Sequence, residues 1–101
     1  MVTSAAGGSG TGVQITLLGS PGKRHHIQQL TWSYNGAPTG GRIYTVGLQG
    51  TELDFDVTAA GPGGIALPPG SYGRYGSSVD VIVAGGGGSV VAKINIFSEL
   101  E

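Results

Sequence analysis

From Val13 onward the chain repeats one device: short runs in which apolar and polar residues alternate, each closed by glycine or proline. "VQITLL" places Val13, Ile15 and Leu17 on one face, because successive side chains of a pleated strand point to opposite faces. "GSPGKR" reads as a turn, with Pro21 fixing φ and Gly22 free to take positive φ. In "HHIQQLTWSYN", Leu30, Trp32 and Tyr34 share a face while Ile27 is out of phase, which predicts a bulge near Gln28 and Gln29. "RIYTVGLQ" aligns Tyr44, Val46 and Leu48. "TELDFDVT" alternates most cleanly, with Leu53, Phe55 and Val57 inward and Glu52, Asp54 and Asp56 outward. "GPGG" reads as its end, and "IALPPG" as a short or edge strand, since Pro68 and Pro69 cannot donate to a ladder. "SYGRYGSS" reads as a loop before the closing strands "VDVIVA" and "VVAKINIF".

No segment carries apolar residues at helical spacing over a helical length, and glycine interrupts every run within about ten residues. Seven or eight short strands at such spacing indicate an antiparallel sandwich or barrel. The glycine run in "AGGGGSVV" then joins two strands of one domain, because neither flank could form a second core. The expected form is a hairpin loop. The opening "MVTSAAGGSGTG" has little to bury. It reads as a flexible arm over residues 1–12, leaving 13–101 as the single β domain.

Composition narrows the functional classes. There is no cysteine, hence no disulfide and no thiolate metal site. Glycine supplies 21 of 101 residues without a Gly-X-Y period, so a collagen helix is excluded. Charged residues make up only 11% and the net charge is −1, which opposes self-association weakly and offers nothing to nucleic acid or an acidic membrane. The chain has neither a secretory pattern at its start nor an apolar run of membrane-spanning length, so a soluble protein made in the cytoplasm is expected.

Candidate chemistry is sparse. Glu52, Asp54 and Asp56 stand about 6.8 Å apart along a strand, too far to wrap a calcium ion without loop partners, and read as a solvated face. His25 and His26 are adjacent, point to opposite faces and read as a surface pair beside a turn, so no metal and no cofactor are expected. No serine is marked as an activated nucleophile, and neither phosphate-loop nor dinucleotide fingerprints occur, so the chain reads as non-enzymatic. Trp32 lies on an apolar face and reads as core. In "GSYGRYGSS", Tyr72, Arg74 and Tyr75 could stack on sugars or bases or anchor a protein partner; the plainer reading is a loop closing the end of the sandwich.

The run "APTGGRIYTVGLQGTELDFDVTAAGPGGIALPPG", followed by "GSSVDVIVAGGGGSVVAKINI", resembles small β-sandwich proteins encoded among the virion genes of tailed bacteriophages. The likeness spans about residues 13–98 and rests on its turns and its acidic strand, not on a catalytic motif. It implies a jelly-roll-like domain that decorates or cements a capsid, a homo-oligomer and most often a trimer, located in the virion after assembly in the host cytoplasm. A carbohydrate-binding module of a host-recognition apparatus, using Tyr72 and Tyr75, is the alternative.

Overall fold

The computed structural model describes residues 2–49, 52–68 and 70–101. The start of the "TELDFDVT" run and the second proline of "IALPPG" therefore lie outside the described residues. Eight strands follow one another: β1 Val2–Ala6, β2 Val13–Leu17, β3 His25–Tyr34, β4 Gly41–Val46, β5 Asp54–Val57, β6 Gly61–Ala66, β7 Val79–Val83 and β8 Ala92–Leu100. No helix occurs among the described residues.

Two four-stranded antiparallel sheets form, one in the order β1-β8-β3-β6 and the other β2-β7-β4-β5. The outermost strand of the chain pairs with the last, the second with the seventh, the third with the sixth and the fourth with the fifth. That nesting is a long antiparallel ribbon rolled into two layers, the eight-stranded jelly roll. Rolling forces every connection except β4–β5 to pass from one sheet to the other. The glycine run is therefore not a hairpin: β7 and β8 belong to opposite sheets, and residues 84–91 carry the chain across the sandwich.

The core lies between the sheets and is densest on the central strands. Val79, Val81 and Val83 of β7 face Ile94 and Ile96 of β8 and Leu30 and Tyr34 of β3 in one buried cluster. Each such side chain contributes roughly 1.5–3 kcal/mol by leaving water. The bulge expected near Gln28 and Gln29 is present: the β3–β8 register shifts between Ile27 and Gln29, letting Ile27 and Leu30 both face the core. Trp32 lies half-buried against this core, 5.3 Å from Phe55, in the space that Gly63 leaves by lacking a side chain.

Three expectations are corrected. Residues 2–6, read as part of a flexible arm, form β1 and pair with residues 93–97 of β8; Ala5 packs against the core, so an edge strand forms with little apolar area. In β4 the buried residues are Gly41, Ile43 and Thr45, while Val46 is 49% exposed. Thr45 fits inside because its hydroxyl accepts from the Leu53 amide at 3.0 Å, and Gly47 at φ 105 turns Leu48 back into the core. "GPGG" does not end the sheet but begins β6, where Pro62 is tolerated because the strand lies at an edge.

The two ends of the sandwich have different chemistry. One carries connections 7–12, 35–40, 58–60 and 84–91 and is rich in glycine. The other carries connections 18–24, 47–53 and 67–78 and holds Lys23, Arg24, Tyr72, Arg74 and Tyr75.

Candidate functional site at the aromatic end

The second end is closed by the segment around Tyr72. Its backbone bonds to β3 and to the β4–β5 connection: the Ile27 amide donates to Ser71 O at 3.0 Å and Gly73 donates to His25 O at 2.8 Å, while Gln49 donates to Tyr72 O at 2.8 Å. This short bridge fixes Tyr72 beside the start of β3. Arg24 is fixed just as firmly, through a reciprocal backbone pair with Glu101 at 2.7 and 2.9 Å. The turn before it forms as expected, with the Lys23 amide donating to Ser20 O at 3.0 Å and Gly22 at φ 73.

Arg24 and His26 are two residues apart in extended chain and so project the same way. The Tyr72 ring meets both. Its centroid lies 3.8 Å from the Arg24 guanidinium carbon and 4.4 Å from the His26 ring, stacked at 26°. Tyr75 approaches the same guanidinium at 4.8 Å and remains 60% exposed. Each guanidinium–ring contact is worth about 0.5–1 kcal/mol at an exposed site. His26 Nδ1 lies 3.6 Å from Glu101 Oε1. Leu18, in the 18–24 connection of the same end, is 74% exposed.

Arg24 differs in one respect from the other arginine resting on a tyrosine. Arg42 sits 4.2 Å from the Tyr44 ring on the outer face of the second sheet, beside a shallow depression lined by Gln14 and Ile82. There it donates twice to Asp54, Nε to Oδ1 at 2.8 Å and Nη2 to Oδ2 at 2.7 Å. That pairing holds the Asp54 carboxyl below its usual range and raises Arg42 further. The Arg42 fork is spent within the chain. Arg24 has no carboxylate within 4 Å among the described residues, so its donors are free for a partner.

Of the three residues singled out in the sequence, the structure brings Tyr72 and Tyr75 together, and it joins them on Arg24. Arg74 lies exposed outside that stack. Arg24 was missed because 48 positions separate it from Tyr72, and the only signal would have been knowledge that residue 26 pairs with residue 72. The histidine pair is also corrected. His26 is half-buried against Tyr72, but His25 is only 4% exposed, and its Nε2 donates to Leu18 O at 2.7 Å. His25 Nδ1 and the fully buried Ser98 hydroxyl have no hydrogen-bond partner among the described residues.

Among the described residues of this end no hydroxyl is hydrogen-bonded to a base that an acid in turn orients; Ser71 donates to Pro68 O and Ser78 accepts from the Gly19 amide. Among the described residues no three His, Asp or Glu side chains converge as a metal's ligand set. The arrangement can do something simpler: present two phenol rings and a guanidinium to another surface. No family model matches the chain, and no curated protein matches it.

Proposed function

We propose that the chain is a non-enzymatic structural protein of a tailed-phage particle, a jelly-roll module that seats on the head shell as a decoration or cement protein. The observation that carries this reading is the pairing of an exposed Tyr75 with an uncommitted Arg24. Tyrosine and arginine are enriched among the residues that carry binding energy at protein interfaces, tyrosine because it buries a large area at low rotamer cost and arginine because its planar fork makes several directed hydrogen bonds. The low charge suits a surface that packs against a lattice. The resemblance of residues 13–98 to phage virion β-sandwich proteins supplies the partner.

Cosedimentation with undecorated head shells of the phage carrying the gene tests it. The wild-type protein should pellet with shells, and Arg24→Ala with Tyr75→Ala should cut occupancy at least tenfold, the scale of two modest hot spots. Failure of the wild type to pellet would sink the reading.

A second reading follows from the same geometry. Two tyrosine rings around a guanidinium would also stack on and hydrogen-bond to a sugar, as in a carbohydrate-binding module of a host-recognition apparatus. Selective glycan-array signals lost in Tyr72→Ala and Tyr75→Ala, with no affinity for shells, would favour it.

A further inference from the structure

The sandwich has two lateral sides, bounded by β5 and β6 on one and by β1 and β2 on the other. An outermost strand exposes a row of unpaired N–H and C=O groups, which natural sheets block with charge, proline or backbone irregularity. The β5/β6 side is blocked in these ways. β5 carries exposed Asp54 and Asp56, and β6 carries Pro62 beside Gly61 at φ 97. The β1/β2 side has no such guard. β1 reads Val-Thr-Ser-Ala-Ala and β2 reads Val-Gln-Ile-Thr-Leu, with no charge, proline or glycine in either.

We infer that β1 is a self-association edge, and that its occupant is β1 of a second copy of this chain, paired antiparallel about a two-fold axis at Ser4. The pattern of β1 is its own complement. Val2, Ser4 and Ala6 are exposed, whereas Thr3 and Ala5 are half-buried toward the core. Centring on Ser4 sets Val2 opposite Ala6 of the other copy and Thr3 opposite Ala5. It faces Ser4 with Ser4, so no like charges and no bulky pairs meet. The pairing also continues a polar row already present on the outer face. Ser4 Oγ donates to Asn95 Oδ1 at 2.6 Å, and Asn95 Nδ2 donates to Thr31 Oγ1 at 3.1 Å. A net charge of −1 adds little long-range repulsion between copies.

This geometry selects two-fold rather than three-fold closure. A three-membered ring joins two different patches at every contact. Here β1 would have to meet the guarded β5 or β6, while β2 faces the same side as β1 and closes only a pair. The inference is independent of the docking end, which lies across the strand ends and not along this edge.

Sedimentation velocity from about 10 µM to about 1 mM tests it, the range in which a small interface associates. The wild type should move from the mass of one chain toward two. In Val2→Glu with Ala6→Glu, each copy sets two carboxylates against two, and the dimer should weaken roughly tenfold or more. In Val2→Lys with Ala6→Glu the same positions become complementary, and dimerisation should return to at least the wild-type level. Ala66→Glu on β6 should leave it unchanged, and melting curves should show all variants folded. A monomer across the whole range, a mass of three chains, or equal behaviour of the two double variants would overturn the inference.

Discussion

The two ends of this jelly roll differ in what covers their close backbone contacts. At the glycine end, backbone packs directly on backbone. A Cβ at Gly12 would lie 2.5 Å from Val83 O, and one at Gly85 would lie 2.5 Å from Gly10 O. Hydrogen bonds follow the same seam, with Gly10 donating to Val90 O at 2.9 Å and Thr39 to Gly86 O at 2.7 Å. Tyr34 locks it from inside: its hydroxyl donates to Ala84 O at 2.7 Å, and burial raises its pKa, which keeps it a donor. The aromatic end has such contacts too, a Cβ at Gly19 being blocked by Gly76 O and one at Gly47 lying 2.7 Å from Ser78 O, but there side chains cover the backbone and project beyond it. A glycine-rich sequence can thus mean closeness rather than looseness. The residues free to recognise a partner sit at the end where side chains are laid over the glycine contacts, with Tyr72 and Tyr75 resting on Arg24.

The largest effect expected from this contrast is at Gly85. Gly85→Ala forces its new methyl against the Gly10 carbonyl, a backbone group that cannot swing away. Overpacking of this kind costs about 3 kcal/mol, or roughly 12–24 °C in melting temperature for a domain of this size. A fall of under about 3 °C would show that the seam is loose and that the contrast between the ends is false.

The body of the sandwich sets the scale between the ends. Phe55 is half-buried against Trp32, so Phe55→Ala should cost about 2 kcal/mol, below the about 3–5 of a fully buried ring. Asp54→Ala, exposed on the other face, should stay within about 0.5 kcal/mol in spite of its Arg42 pair, since exposed ion pairs contribute little. Urea melts of both variants decide whether the β5 register is right, because equal losses would contradict it.

That strand was legible because period-two alternation is local: Leu53, Phe55 and Val57 announce their face within five residues. β4 was not, because the buried position belongs to Thr45, whose fit depends on a hydrogen bond to Leu53 that no local pattern contains. β1 was missed for a similar reason. Its Val, Thr and Ala would bury too little alone, and only β8 beside it makes a strand worthwhile. Pairings such as Val2 with Phe97 and Val13 with Val83 join distant parts of the chain, so strand existence could be read but sheet membership could not. The candidate site shows the same split. Tyr72 and Tyr75 stood out as neighbours in a glycine loop, whereas Arg24 joins them only through the folded ladder.

Inside the aromatic end one position should gain stability when trimmed. Ser98 is fully buried with its hydroxyl unpartnered, directly across from Ile27. An unmet buried hydroxyl costs about 1–3 kcal/mol, so Ser98→Ala should raise stability by about 1 kcal/mol after the lost packing is counted. Thermal melts check it, and a loss of stability would mean that the hydroxyl does have a bonded partner in solution.

The smallest stability effect should come from Tyr75, the ring that the proposed docking would use most. Tyr75 is 60% exposed, and the guanidinium beside its ring is one that Tyr72 holds at shorter range. Removing the ring therefore leaves the fold nearly intact. Tyr75→Ala should change unfolding free energy by less than about 0.5 kcal/mol, the range of surface substitutions. Tyr72→Ala, which removes the ring stacked on both Arg24 and His26, should cost more, about 1 kcal/mol. Measuring the two side by side in denaturant separates support from display. If Tyr75→Ala proves as damaging as Tyr72→Ala, the tyrosine loop is closure throughout, and the partner must engage some other part of the jelly roll.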